Sequence, residues 1–369
     1  MRKVKIYIVL LLVAITAAAT AQITVVTADK GPAADGNGLY YSLPATMFKV
    51  EVDLRRVESV PGPLAEYCEN YLGTDDYIKA SSVVYTAVDA KVIPFTIADE
   101  NASYYMVFSE KVSKEDKPPR VELTPLGTLK SVNMYINSDN QQHETSKEIE
   151  KTIIINDKND HFDYEAEFNK KQLIDTVVRK ITIDTMTISK FLFKTSWVAK
   201  TAEERAEDAA RHISLIREQR MNLLTGYHEV NFGAGIEYMD NQLKEMEQQY
   251  LELFQGKKRV SFEHYTFFVR PEKDTKQKEL MTTTSGDKLM FKVQDFLNTV
   301  VKPMGAILNN VVYYRIPANA AIEVTFKDES LFKDIFEVKQ LGVVSGVSVY
   351  KAGVIFDTQT GVPVKVRKY

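Results

Sequence analysis

The 369-residue chain is 44% hydrophobic and 26% charged, values of an ordinary globular protein with material for a real core. Its formal net charge of −3, with no basic stripe, excludes the electrostatic footprint of a nucleic-acid-binding protein. Cys68 is the only cysteine, which excludes an intramolecular disulfide and leaves stability to burial.

At the N-terminus, Arg2, Lys3 and Lys5 precede the apolar run Ile6–Ile15, and Ala19-Thr20-Ala21 supplies a small-x-small cleavage site. This is the pattern of a secretory signal peptide over residues 1–21, with the exported chain beginning at Gln22. The run is about half the roughly 20 residues needed to span a bilayer, so no transmembrane anchor is expected after cleavage. The leader takes three positive charges with it, moving the net charge from −3 to −6. No cysteine follows the cleavage site closely enough to carry a lipid. The expected location is the periplasm or the outer-membrane surface.

From residue 22 to 200 the pattern is mostly strands. Phe48, Val50, Val52 and Leu54 alternate with polar residues, as do Ile93, Phe95 and Ile97, and Val132, Met134 and Ile136. Period-two alternation implies one buried and one wet face, as in antiparallel sheet. Turns are marked by Pro61-Gly62-Pro63, Lys117-Pro118-Pro119 and Asn156–Asp160. Between the first two runs, Cys68 lies on a short helix between Tyr67 and Tyr71 and reads as a small buried hydrophobe. Ile181–Ile183 and Met186–Ile188 form a further pair of short runs leading to Phe191 and Phe193.

The period then changes. Thr201 and Glu204 form a capping box, Ala206, Ala209, Ala210, Ile213, Ile216, Leu223 and Leu224 follow at helical spacing, and Gly226 stops the helix. A second helix spans about Ile236 to Phe254, with Gly256 after it, so residues 201–256 should be an antiparallel helical hairpin. Over 257–369 strands return: Val260–Val269, Leu289–Val293, Val311–Ile316, Ala321–Phe326, Val343–Val349, Val354–Phe356 and Val362–Val366. The expected fold is α+β, mostly antiparallel β-sheet, with two β-rich parts (22–200 and 257–369) and the helical hairpin between them.

Chemistry-bearing patterns are sparse. There is no G-x-S-x-G elbow, Walker loop or dinucleotide fingerprint, and His143, His161, His212, His228 and His264 lack zinc-ligand spacing. Asn156–Asp163 is dense in oxygen donors but lacks the glycine and spacing of an EF-hand, and reads as a turn. Glu51 with Asp53, and Glu165 with Glu167, share strand faces by their spacing of two, a common occurrence among 50 acidic residues. No catalytic residue, cofactor or metal is therefore expected. Arg211, Arg217 and Arg220, on the first long helix among Glu203, Glu204, Glu207 and Glu218, are a candidate interaction surface.

Several segments together resemble a known family. They are Tyr40-Tyr41-Ser42-Leu43-Pro44-Ala45-Thr46, Pro61-Gly62-Pro63, Tyr71-Leu72-Gly73, and Ile216-Arg217-x-x-Arg220-x-x-Leu223-Leu224-Thr225-Gly226. Glu247-x-x-Tyr250-x-x-Leu253-Phe254-x-Gly256, Gln340-Leu341-Gly342 and Phe356-Asp357-x-x-Thr360-Gly361 complete the order. The chain resembles an uncharacterised family of exported Bacteroidetes envelope proteins built on a domain of unknown function. That resemblance implies a Gram-negative envelope protein and brings no catalytic residues. It also implies O-glycosylation at Thr176 and Thr185, which sit in Asp-Thr-apolar triplets.

The leading functional expectation is a non-enzymatic envelope protein that binds or helps assemble another envelope protein. Aromatic content and the acidic pairs leave a carbohydrate- or glycolipid-binding or processing protein as the alternative. The alternation ending at Tyr369 also fits a small outer-membrane barrel, against which stand the charged helices and adjacent Arg367 and Lys368.

Overall fold

The computed structural model describes residues 23–28, 37–108, 119–134, 162–183, 186–227, 233, 235–296 and 309–369. The proposed leader, His143, His161, His228, Asn156–Asp160 and Thr185 lie outside them. The described residues are mostly antiparallel sheet with three helices, an α+β, β-rich protein. One four-stranded sheet has the order β1 (Ile23–Thr27), β3 (Ser82–Phe108), β2 (Gly38–Val60), β8 (Lys257–Val269). A second runs β12 (Glu329–Ser348), β11 (Val311–Phe326), β10 (Lys288–Phe296), β9 (Gln277–Thr282). A third runs β14 (Pro363–Lys368), β13 (Ala352–Phe356), β5 (Leu129–Val132), β4 (Val121–Leu123). β6 (Lys170–Ile183) and β7 (Met186–Ala199) pair only with each other. The helices are α1 (Cys68–Leu72), α2 (Ala202–Thr225) and α3 (Gly235–Gln255).

Several strands are far longer than the alternation suggested, and three of them contain a proline. β2 contains Pro44, β3 contains Pro94, and β11 passes through Pro317, joining two runs that looked separate. Proline has no N–H to give a ladder, and at Pro317 the ladder breaks accordingly. Ile316 pairs with Val343 but Ala318 pairs with Val338, so Lys339–Gly342 bulge out of β12. A Cβ on Gly342 would lie 1.8 Å from the Ile316 carbonyl oxygen, so only glycine permits that approach.

Contacts divide the chain into two compact units, each assembled from separated segments. The first takes Met1–Asp53, Ala87–Lys151 and His264–Tyr369; the second takes Leu54–Thr86 and Thr152–Glu263. Residues from before 200 and after 257 therefore share the first unit's core. Tyr41, Leu43, Met106 and Val132 pack there with Val312, Val354 and Phe356.

Polar groups are built into this unit as carefully as apolar ones. Asp99, on β3 and 2% exposed, accepts from buried Arg315 on β11 at 2.8 Å and from Arg270, just after β8, at 2.5 Å. Arg315 also donates to the Pro44 carbonyl at 3.1 Å. The bulge in β12 places Gln340 so that its amide brackets Thr46, accepting from that residue's N–H and donating to its carbonyl, both at 2.8 Å. Gln340 donates further to the Pro271 carbonyl at 3.0 Å, and Lys339 donates from Nζ to Thr96 at 2.8 Å. Near the C-terminus, one Asp357 oxygen collects the Thr360 N–H at 2.6 Å, the Gln359 N–H at 3.0 Å and the Thr360 hydroxyl at 2.9 Å, with Gly361 at φ 73° closing the turn.

The second unit buries Leu64, Cys68, Phe168, Ala206, Ala209, Ile213, Tyr250 and Phe254 in one cluster. The Thr201–Glu204 capping box forms in both directions, at 3.2 and 3.0 Å, and Gly226 at φ 72° ends α2. Gly62 lets the chain lie against α3: a Cβ there would sit 2.3 Å from the Leu253 carbonyl oxygen. Burial pushes the Cys68 thiol up, with Glu69 and Asp76 adding to it.

These cores yield three predictions. Asp99→Ala strands Arg315 as a buried charge and should cost about 3–5 kcal/mol in urea unfolding. Burial is the largest influence opposing Asp99 ionisation, yet the bonds and charges of Arg315 and Arg270 hold its carboxyl below the ordinary range. Stability from a lowered carboxyl is full above the unfolded value, about 3.9, and is lost as pH falls through the folded one. Asp99→Asn should therefore be less stable than the parent at about pH 6 and lose less on moving to about pH 3. Cys68 should resist a thiol reagent in native buffer and react fully once denatured; a rapid native reaction would contradict its burial.

Candidate interaction surface

The two long helices are held together by charge as well as by packing. Glu247 on α3 accepts from Arg217 Nε at 2.7 Å and from Arg220 Nη1 at 3.0 Å. Arg220 Nε also donates to Asp240 at 2.9 Å, and Lys244 reaches the other Asp240 oxygen at 2.7 Å. Residues rising along α2 thus meet residues falling along α3. The Asp240 bond, opposed by partial desolvation and aided by Glu247, raises the Arg220 pKa. Lys244 and then Arg220 lower that of Asp240.

These contacts place the three arginines marked in the sequence. Arg217 and Arg220 clamp α2 to α3, while Arg211 stays on its own helix, bonding Glu207 at 3.0 Å and Asp208 at 3.4 Å. Large apolar groups at the end of α2 and the start of α3 face solvent. Leu224 and Met221 are exposed, with Tyr227 at 76% and Tyr238 at 68%.

Three of the four paired acids are engaged, and Glu165 and Glu167 lie in turns rather than on a strand face. Glu51 meets Lys49, and Asp53 bonds His264 Nδ1 at 2.6 Å. Glu167 accepts from the Tyr250 hydroxyl at 2.6 Å, and burial first, then this bond, raises the Tyr250 pKa. His212 stacks on Tyr250 at 5.8 Å between centroids. Glu165 lines a small niche with Pro63, Leu64, Phe168, Arg205 and Leu253. Among the described residues, no three His, Cys, Asp or Glu side chains gather as metal ligands would. No described helix is long and apolar enough to cross a membrane.

The feature that sequence reading missed is the β6–β7 ribbon. The two short runs noted around residues 181–188 are the tip of paired strands of 14 residues each, in unbroken register from Lys170↔Ala199 to Ile183↔Met186. Its base is fixed to α2: Lys171 pairs with Glu204, Lys200 pairs with Asp208, and the Lys200 N–H donates to the Asn169 carbonyl at 2.9 Å. Directly paired residues share a face. One face carries Ile174, Thr176 and Val178 opposite Thr195, Phe193 and Phe191, with Trp197 opposite Gln172. Phe193 is 71% and Trp197 69% exposed. Thr176 is exposed in the middle of this face. The local signal was the alternation Phe191, Phe193, Thr195, Trp197, which periodicity alone cannot distinguish from a buried strand.

The fold is that of a β-rich α+β protein, and among the apolar side chains its described surface exposes are those at the adjoining helix ends and on the ribbon. The chain belongs to the family described as Domain of unknown function (DUF4831), whose model matches residues 37–167 and 162–286. No curated protein and no solved structure matches it.

The clamp yields a prediction. Glu247→Gln weakens two cross-helix bonds at once and should lower the thermal midpoint, most at low ionic strength, with the deficit shrinking in high salt because these pairs are partly exposed. A deficit independent of salt would point to packing instead.

Proposed function

We propose that this protein is an exported, non-enzymatic factor of the Bacteroidetes cell envelope that binds or helps assemble another envelope protein through the end of its helix pair. The observation that carries this reading is the exposure of Met221, Leu224 and Tyr227 at the end of α2 and of Tyr238 in the first turn of α3, on helices tied by the Arg217–Glu247–Arg220 clamp. Aromatic anchors on a braced scaffold suit recognition, because little ordering entropy is lost on docking and tyrosine supplies an amphipathic contact. The leader pattern over residues 1–21 supports export, with delivery to the periplasm or association with the outer membrane. Arg211, exposed at the rim of α2, would tune encounter with an acidic partner and add little to affinity.

A photo-crosslinking residue placed at Tyr227 or Tyr238 in cells should give one discrete adduct that Leu224→Asp abolishes while circular dichroism is unchanged. Absence of any adduct at both positions, or an adduct insensitive to Leu224→Asp, would overturn the reading. The processed protein should have the intact mass of a chain starting at Gln22 and should fractionate with the periplasm or outer membrane.

A further inference from the structure

We propose that the aromatic face of the β6–β7 ribbon docks on an anionic lipid surface. This rests on a different surface from the helix-pair reading and stands or falls separately from it. The central part of the face, from Gln172 to Val178 and from Phe191 to Trp197, carries no charge. Lys170 and Lys180, one near each end, frame it, and both are exposed. The opposite face brings exposed Arg179, Lys190 and Lys194 against the one acid Asp175.

Residues 170–200 hold seven Lys or Arg against two Asp, in a chain whose overall charge is negative. With Lys171 and Lys200 engaged by α2, five exposed cations remain along the ribbon.

Charge decides among the occupants. A second copy docking the same face would bring two such cationic ribbons together, which like-charge repulsion opposes. An anionic surface attracts all five cations. The cations on the far face count too, since a ribbon about 10 Å thick keeps them within roughly one Debye length of the headgroups.

Tryptophan and phenylalanine flanked by lysine is also the composition that settles at a lipid–water boundary. The geometry sets the depth. Among the described residues no third strand pairs with either outer edge of the ribbon, and an open edge is not tolerated in hydrocarbon, so it lies along the interface, where water and headgroups satisfy its N–H and C=O groups.

Trp197 is the only tryptophan in the chain and sits on the proposed contact face, so it reports directly. The protein purified after export is titrated with phosphatidylglycerol vesicles and, separately, with phosphatidylcholine vesicles. Emission from Trp197 should shift to the blue with phosphatidylglycerol alone, and raised salt should reverse the shift. Phe193→Ser should weaken apparent binding about tenfold or more. Lys180→Glu with Lys194→Glu should abolish the shift while circular dichroism stays that of the parent.

No shift with phosphatidylglycerol at low salt overturns the proposal, as does an equal shift with both lipids. A concentration-dependent shift without lipid assigns the face to a second copy, and a shift produced only by an acidic envelope protein assigns it to a protein partner. Either result overturns the lipid assignment. Intact mass adds an independent check: a glycan on Thr176 would stand in the middle of the face and is incompatible with docking.

Discussion

Unit 1 turns on a single carboxylate. Asp99 is drawn from β3, Arg315 from β11 and Arg270 from the exit of β8, so one buried acid ties together chain segments 171 and 216 residues away. An acid in that position would be costly alone; flanked by two guanidinium groups it is compensated and oriented. Arg315 extends the tie to the Pro44 carbonyl, and the Gln340 amide holds Thr46 two residues further along β2. Directional bonds of this kind fix the register of neighbouring strands, which apolar packing alone would leave free to slip by two.

Several of the segments singled out in the sequence take structural roles in the fold. Arg217 and Arg220 converge on Glu247, the first residue of another of those segments. Gly62 and Gly342 allow backbone contacts that any side chain would block. Asp357, Thr360 and Gly361 build one turn. The surfaces offered here for binding lie mostly outside those segments, on the ribbon and at Tyr227 and Tyr238.

What the sequence made legible was local. The capping box at Thr201 and Glu204, the stop at Gly226 and the helical spacing of Ala206 to Leu223 are decided within a few residues, and each forms. The β-rich, antiparallel character was also legible from period-two alternation. Strand lengths were not, because tertiary pairing carries β2, β3 and β11 well past the alternating runs. Asp99 looked like any of 50 acids, since its partners are remote in sequence. The ribbon was hidden by an average: a mildly acidic whole concealed a locally cationic arm, and alternation named its faces without saying what covers them.

The discontinuity of unit 1 has a consequence for how the chain comes to be folded. The N–H of Ile23 donates to the Asn310 side chain, a contact spanning 287 residues, and the core joins strands from both ends. Neither unit can be cut out as one uninterrupted fragment. Contacts so distant slow folding, because the loop they close must be ordered before any burial rewards it. For a chain exported as proposed, that delay is useful: the first unit cannot lock prematurely, and the polypeptide stays threadable until its last third has emerged.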